Sequence, residues 1–148
     1  MKIIKHYLLL SLLLLIINLP SHADENKFSL TVKVSGATPG KAQMILSLFI
    51  SPESYLKEPV LSKTKAVDDI GEVIFVLDDL VPGKYSVSII YDEDNNGELN
   101  TGFLGIPNEP VGFSNNAKGT FGPPSYDKTS FNLTETKSIN ITLVNVGE

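Results

Sequence analysis

The stretch Phe28-Ser29-Leu30-Thr31-Val32-Lys33-Val34-Ser35 alternates apolar and polar side chains without interruption. Successive side chains of a β-strand point to opposite faces, so this period of two predicts a strand with one buried face. Residues 138–144 repeat the pattern, with the apolar side chains of Ile139, Ile141 and Leu143 alternating against polar ones. Both segments therefore predict strands that contribute one face to a hydrophobic core.

Outward from residues 28–35, the chain contains further strand-like segments separated by turn signals. These segments are residues 42–50, 72–77, 84–91 and 130–133. Residues 51–69 contain two prolines and several charges, and we interpret them as a crossing connection with at most one helical turn near 53–56. No segment has a sustained helical period. The sequence therefore predicts an all-β fold, an antiparallel Greek-key β-sandwich of immunoglobulin-like or transthyretin-like type.

The predicted core consists of the inward-facing positions of these strands. They are Phe28, Leu30, Val32, Val34, Val73, Phe75, Val87, Ile89, Ile139, Ile141 and Leu143. A chain of 148 residues suits one such core and leaves little room for a second domain. We expect residues 24–148 to form a single domain.

Residues 1–23 have the three parts of a secretory signal peptide. Lys2 and Lys5 precede an apolar run over residues 7–19, and small residues precede a cleavage point after Ala23. A membrane anchor is the competing interpretation, but it needs about 20 apolar residues and this run is shorter. We expect an exported protein, periplasmic or extracellular, with no transmembrane segment after cleavage.

Composition excludes several kinds of chemistry. The chain contains no cysteine, arginine or tryptophan, and its two histidines, His6 and His22, lie in the predicted signal peptide. Histidine-dependent nucleophilic catalysis and imidazole or thiolate metal sites are therefore excluded from the mature chain. Without Lys2 and Lys5, ten lysines face seventeen acidic residues, a net charge of −7. This charge disfavours nucleic acid as a partner and suits a hard cation such as calcium.

Residues 92–128 show neither the period of a strand nor that of a helix. A connection of this length is functional or disordered in most compact domains. Its many apolar residues favour one long ordered loop, pinned by its own hydrophobic side chains. The side chains expected to pin it are Phe103, Leu104, Ile106, Val111, Phe113, Phe121 and Tyr126.

The start of this loop, Asp-Glu-Asp-Asn-Asn-Gly-Glu-Leu-Asn over residues 92–100, matches the first nine places of an oxygen-lined calcium loop. The predicted ligands are the side chains of Asp92, Asp94 and Asn96, the carbonyl of Glu98 and, through water, Asn100, with Gly97 at the sharp turn. The twelfth place, a bidentate glutamate in the helix-loop-helix version, is Phe103. A completing carboxylate must come from elsewhere, and Glu109 and Asp127 are the nearest candidates along the chain.

A plain turn is the competing interpretation of the same residues. Asn-Gly is a strong hairpin signal, and acidic residues at the end of a strand commonly form a solvated turn. The four carboxylates between Asp92 and Glu98 repel one another, however, and a cation would relieve this repulsion. Both interpretations stay open at this point.

Three further stretches carry a resemblance to a known family. They are residues 80–85 (Leu-Val-Pro-Gly-Lys-Tyr), residues 102–116 (Gly-Phe-Leu-Gly-Ile-Pro-Asn-Glu-Pro-Val-Gly-Phe-Ser-Asn-Asn) and residues 121–125 (Phe-Gly-Pro-Pro-Ser). Together with residues 92–100 they resemble the exported bacterial proteins of the domain of unknown function family twenty-one forty-one. The resemblance implies a signal peptide and a compact β-sandwich, and it implies no activity or substrate. Tyr91 stands where such proteins often carry a histidine.

We expect an exported non-catalytic module that binds a component of the cell envelope or another protein, with Ca²⁺ as the candidate cofactor of the acidic loop, residues 92–100. The predicted binding surface consists of Phe113, Asn115, Asn116 and Tyr126. One alternative is a carboxylate-based hydrolase that uses two of Asp92, Asp94, Glu98 and Glu109. Oxygens that converge on one point would favour a cation, whereas two carboxylates that face each other across about 5 to 10 Å of open groove would favour hydrolysis. A purely structural secreted protein without a small-molecule site is the third possibility.

Overall fold

The computed structural model describes residues 26–40 and 42–146, and the predicted signal peptide lies outside these ranges. Eight strands lie within them: β1 (Phe28–Ser35), β2 (Gln43–Phe49), β3 (Leu61–Ala66), β4 (Val73–Leu80), β5 (Gly83–Asp92), β6 (Val111–Phe113), β7 (Phe131–Leu133) and β8 (Lys137–Thr142). The other elements are a one-turn helix, α1 (Tyr126–Thr129), and two 3₁₀ turns at Phe103–Gly105 and Ser114–Asn116. None of the helices in the described ranges is long and apolar enough to cross a membrane.

The strands form two packed sheets, which confirms the predicted all-β sandwich. One sheet has the order β4-β1-β8, and the other has the order β3-β2-β5-β6, with β7 also paired to β5. The chain passes from one sheet to the other after β1, β3, β4 and β7. β5 lies between β2 and β6 in its sheet and ends at Asp92. The acidic loop begins at this residue, so it lies at one end of the sandwich.

One strand pair departs from the predicted antiparallel arrangement. β1 and β8 pair in parallel, with Val32 opposite Ile139 and Val34 opposite Ile141. The other described strand pairs are antiparallel. A parallel pair needs a long crossover connection, and nearly the whole domain lies between β1 and β8. Alternation within each strand predicts its buried face but says nothing about its direction, so the purely antiparallel prediction was wrong here.

The interpretation of residues 51–69 as a connection was also wrong in part, because they contain the edge strand β3. A single turn does occur there, with the N–H groups of Lys57 and Glu58 donating to the carbonyl of Ser54. Most side chains of β3 are exposed, so the strand lacks apolar alternation. Its lysines lie against the edge of the other sheet: Lys63 Nζ donates to the Val76 carbonyl at 2.6 Å, and Lys65 Nζ to the Ile74 carbonyl at 2.8 Å. Charged side chains of this kind protect sheet edges against pairing with other chains.

The predicted core is largely confirmed. Nine of its eleven residues are buried, and Phe28 and Ile139 are half-buried and pack against the others. Strand β5 is buried on both faces rather than one. On the second face, Ser86 Oγ donates to Thr129 Oγ1 at 2.7 Å, and the backbone N–H of Val87 donates to Ser114 Oγ at 2.9 Å. Hydroxyl groups of the long loop (Ser114) and of α1 behind it (Thr129) therefore contact β5.

Candidate metal centre

The long connection over residues 92–128 is ordered, but fewer of its apolar residues pin it than the sequence predicts. Val111 and Tyr126 are buried and Phe113 is half-buried. The remaining predicted pins are exposed: Phe103, Leu104, Ile106 and Phe121. The number of apolar residues predicts that the loop is ordered. Their spacing has no regular period, so it does not predict which of these side chains face inward.

Asp92 is the last residue of β5 and is fully buried. Its Oδ2 accepts hydrogen bonds from Gln43 Nε2 at 2.7 Å and from the N–H of Gly97 at 2.8 Å, and its Oδ1 accepts one from the N–H of Asn96 at 3.1 Å. Gly97 has φ of +84°, a left-handed conformation that glycine adopts without steric penalty. The sharp turn predicted at this glycine is therefore confirmed.

Gln43 is a residue of this site that the sequence analysis missed. It lies on β2, directly opposite Asp92 in the antiparallel register of β2 and β5. Strand register supplies the signal that would have found it, because opposite residues on one face of a sheet lie close enough to interact.

Burial and hydrogen bonding shift the pKa of Asp92 in opposite directions. Burial by itself raises the pKa of this carboxyl, but the bonds from Gln43, Gly97 and Asn96 stabilise the carboxylate, and its pKa lies below the ordinary value. Asp92 is therefore a carboxylate at neutral pH although it has no contact with solvent.

This lowered pKa predicts a loss of stability in acid. A carboxyl with a folded-state pKa below its unfolded value stabilises the fold fully above the unfolded pKa of about 3.9, and this contribution disappears as the pH falls through the lower folded value. We expect wild type to be more stable than Asp92→Asn at pH 7 and the difference to narrow below about pH 4. Urea denaturation at pH 7, 4 and 3 measures this difference. A constant difference across that range would contradict the lowered pKa.

Three further side chains of the loop are joined by hydrogen bonds. Asp94 Oδ2 accepts from Asn96 Nδ2 at 3.1 Å and from Asn100 Nδ2 at 2.8 Å. Asn96 Nδ2 also donates to Asn100 Oδ1 at 2.9 Å, and Asn96 Oδ1 accepts from the N–H of Glu98 at 2.7 Å. Places three, five and nine of the predicted calcium loop therefore lie together. The side chain of Glu98, whose carbonyl is the predicted ligand at place seven, is exposed.

Glu109 stands just before β6 and is only 3% exposed. Its Oε1 accepts from the N–H of Glu93 at 2.9 Å, and its Oε2 accepts from the N–H of Asn100 at 2.9 Å. One carboxylate therefore joins both ends of the acidic loop. Asp127, the other candidate for a completing carboxylate, lies elsewhere and forms an ion pair with Lys84 at 3.2 Å.

Asp92, Asp94 and Glu109 form a cluster in which one carboxylate oxygen from each lies within 4.8 Å of the others. We call these residues the acidic triad. Neither of the two ion pairs within residues 26–40 and 42–146 includes a member of it. Each carboxylate oxygen has two lone pairs, and Glu109 uses one on each oxygen for the backbone N–H groups described. The triad therefore has the oxygen donors that a hard cation requires.

The four residues of the predicted binding surface have contacts inside the protein. Asn115 Nδ2 donates to the carbonyls of Lys128 and Ser130, each at 3.0 Å. Asn116 Oδ1 accepts from the N–H of Thr142 at 2.9 Å, so its amide covers the edge of β8. Phe113 is half-buried. Tyr126 is buried, with its hydroxyl donating to the Lys84 carbonyl at 3.0 Å, and its placement on the surface was wrong.

The fold and this site together define a β-sandwich protein with an acidic loop closed at the end of a central strand. A family described as "Uncharacterized protein conserved in bacteria (DUF2141)" matches residues 32–142, and the chain belongs to it. The resemblance recognised in the sequence is thereby confirmed. No curated protein and no solved structure matches the chain.

Proposed function

We propose that this chain is an exported, non-catalytic binding module of the cell envelope that holds a calcium ion in the acidic triad. The observation that carries the calcium site is the convergence of three carboxylates within 4.8 Å, two of them buried. Like charges at this distance in a buried setting repel strongly, and a divalent cation converts the repulsion into attraction. The basic segment and apolar run of residues 1–23 support export.

The donor set suits calcium better than magnesium. Ca²⁺ accepts six to eight oxygen ligands in flexible geometry, whereas Mg²⁺ demands a tight octahedral shell and releases water reluctantly. The side-chain amides of Asn96 and Asn100 lie beside Asp94, to which the Nδ2 group of each donates. A half-turn of an amide would present its oxygen to a bound ion in place of the nitrogen. Such amides and bound water can complete a calcium shell. Outside the cell a weak site is sufficient, because calcium-binding modules there have dissociation constants of about 10⁻⁴ to 10⁻³ M.

A bound ion would act mainly on the geometry of the loop. Asp92 belongs to the end of β5, Asp94 to the loop, and Glu109 to the approach to β6. An ion shared by the triad would hold these three segments together, and residues 101–108 between them would be fixed as a projecting unit. We therefore assign the ion a stabilising role and assign a binding role to the projecting residues 101–108.

The carboxylate-based hydrolase receives less support from the same geometry. A general acid and its partner stand about 5 to 10 Å apart on either side of a bound substrate. The oxygens of the triad converge instead, and the carboxylates of Asp92 and Glu109 are buried. This arrangement favours a cation over a substrate between them.

The calcium site predicts a rise in melting temperature with calcium. If the ion binds only the folded chain, stabilisation grows as RT ln(1 + [Ca]/Kd) and reaches about 1.4 kcal/mol when free calcium is ten times Kd. We expect the melting temperature to rise in millimolar calcium, to rise less in magnesium and to return to its starting value with chelator. Differential scanning calorimetry measures all three.

Asp94→Asn is the informative variant, because Asp94 is the exposed member of the triad and its replacement leaves the buried hydrogen bonds of Asp92 and Glu109 intact. Glu98→Gln is its matched control, since it removes one charge from the same loop outside the triad. Asp94→Asn should lose the calcium response and Glu98→Gln should keep it. Equal responses in the two variants would rule out the triad as the site.

A further inference from the structure

Three large apolar side chains are exposed on the projecting residues 101–108, and we call them the apolar tip: Phe103, Leu104 and Ile106. Phe103 is 86% exposed, Leu104 81% and Ile106 44%. Residues 101–108 contain no charged residue. Single exposed apolar side chains are common on protein surfaces, whereas several on one turn mark a contact with a membrane or another molecule. The apolar tip is therefore a candidate interaction surface.

The backbone conformation of Leu104 supports a role for its side chain outside the fold. Leu104 has φ of +61°, in the left-handed region that a bulky side chain rarely adopts. Glycine or asparagine would form the same turn with less strain. The leucine gains no burial in return, because it is exposed. A strained residue whose side chain does not pack inside the protein points to a function in contact with a partner.

The backbone of the turn that carries the tip is largely hydrogen-bonded within itself. The N–H of Gly102 donates to the Ile106 carbonyl at 2.7 Å. The N–H groups of Gly105 and Ile106 donate to the carbonyls of Gly102 and Phe103, at 3.2 and 3.5 Å. Backbone groups that enter lipid must find partners within the protein, because hydrocarbon offers none. These internal bonds therefore suit the turn to an apolar medium.

A lipid surface fits this tip better than a protein partner does. Each side of a stable protein–protein interface contributes about 800 Å², and about ten hydrogen bonds cross it. An aromatic side chain buries about 150 to 250 Å², so three apolar side chains on one turn fall well short of that area. The tip also has no charged side chain that would orient a protein partner. Hydrocarbon requires no directional contact, and binding to it scales with the apolar area inserted.

We propose that the apolar tip inserts into the surface of a lipid bilayer, with Phe103 and Leu104 reaching the boundary between headgroups and acyl chains. This inference rests on the binding role proposed above for residues 101–108 and names a lipid surface as the partner. It does not require calcium, because the inserted side chains are uncharged. An ion in the acidic triad would reduce the negative charge near the base of residues 101–108 and would not oppose insertion.

The test turns the tip into a fluorescent reporter. The chain contains no tryptophan, so Phe103→Trp introduces a single indole at an exposed position. Vesicles of phosphatidylcholine, which has no net charge, are titrated into this variant in buffer with chelator. We expect the emission maximum to move to shorter wavelength, and lipids brominated near the top of their acyl chains to quench the emission.

Unchanged emission up to about 10 mM lipid would overturn the proposal and leave a protein as the partner of the tip. This limit is about a hundredfold above the lipid concentration that half-saturates binding through a single myristoyl chain.

Ile50→Trp is the matched control for the reporter. Ile50 is 52% exposed and directly follows β2. The other end of β2 begins at Gln43, which lies opposite Asp92, so Ile50 lies at the end of the sandwich away from the acidic loop. Its emission should not change with vesicles. Equal changes in Ile50→Trp and Phe103→Trp would mean adsorption without a defined surface and would overturn the proposal.

Variants of Leu104 test the apolar contact in the chain without tryptophan, through co-sedimentation with the same vesicles. Leu104→Ala should weaken binding about tenfold, the effect of keeping an apolar side chain of this size in water. Leu104→Met keeps the apolar volume and should bind as wild type does. Melting temperatures verify that both variants are folded. Wild-type binding by Leu104→Ala, or equal weakening in the two variants, would contradict insertion of this side chain.

The lipid proposal and the calcium proposal fail separately. In chelator, Asp94→Asn should bind phosphatidylcholine vesicles as wild type does, although it has lost the calcium response. Vesicle binding by a protein that never responds to calcium would overturn the calcium site alone. A calcium response without vesicle binding would overturn the lipid contact alone.

Discussion

Replacing Ile141 with alanine should lower the free energy of unfolding by about 2 to 5 kcal/mol. Ile141 is fully buried on β8 and lies opposite Val34 of β1 in the parallel pair. Its truncation removes apolar surface and leaves a cavity that the two sheets cannot fill without moving. Urea denaturation at neutral pH measures the change. Ile74→Ala on β4 is the matched control, because Ile74 is 48% exposed and its replacement should cost less than about 1 kcal/mol.

The cause of this cost can be tested with Gly112 on β6, which packs against Ile141. A Cβ on Gly112 would lie 2.6 Å from Ile141 Cγ2, so Gly112→Ala alone should be destabilising. Ile141→Ala removes that atom and makes room for the new methyl group. The double variant should therefore be more stable than the sum of the two single changes predicts. Strict additivity would contradict the packing of β6 on β8.

Replacing Glu109 with alanine should lower the free energy of unfolding by about 2 to 4 kcal/mol, since two backbone N–H groups lose their acceptors. These groups belong to Glu93 and Asn100, at the two ends of the acidic loop. Glu109→Gln keeps one carbonyl oxygen and should lie between wild type and Glu109→Ala. The change is measured by urea denaturation in chelator, so that bound cations do not contribute.

The control for this prediction is Glu98→Ala, which truncates an exposed acidic side chain in the same loop. It should change the stability by no more than about 0.5 kcal/mol. If Glu109→Ala were as stable as Glu109→Gln, which removes the same charge but keeps an acceptor oxygen, Glu109 would not close the loop. Relief of repulsion among the carboxylates of the triad acts in the opposite direction, and it makes the net effect smaller in the absence of calcium than in its presence.

The sequence predicts the central strands well because their pattern follows directly from burial. Strand β1 alternates since one face meets the core, and the buried positions of β4 and β8 follow from the same period of two. Strand β5 departs from it, because the later part of the chain covers its second face. Edge strand β3 has no such pattern, because most of its side chains meet solvent. Strand direction is a property of the tertiary fold, so the parallel pairing of β1 with β8 is not encoded in either strand alone.

The site was predictable to the extent that it is local. Spacing within residues 92–100 correctly brings Asp94, Asn96 and Asn100 together and places a sharp turn at Gly97. The burial of Asp92 was not predictable, because it depends on Gln43 from the neighbouring strand and on the packing of the later loop. Chain proximity suggested two completing carboxylates, and only the return of the chain into β6 distinguishes Glu109 from Asp127.

The central claim is that the acidic triad binds one calcium ion, and isothermal titration calorimetry tests it most directly. Titration of calcium into the chelator-treated protein should give one binding event with a dissociation constant of about 10⁻³ M or tighter. Binding should be lost in Asp94→Asn and retained in Glu98→Gln. No binding heat up to about 10 mM calcium, or unchanged binding in Asp94→Asn, would contradict the claim, since sites of this class bind at or below the millimolar range.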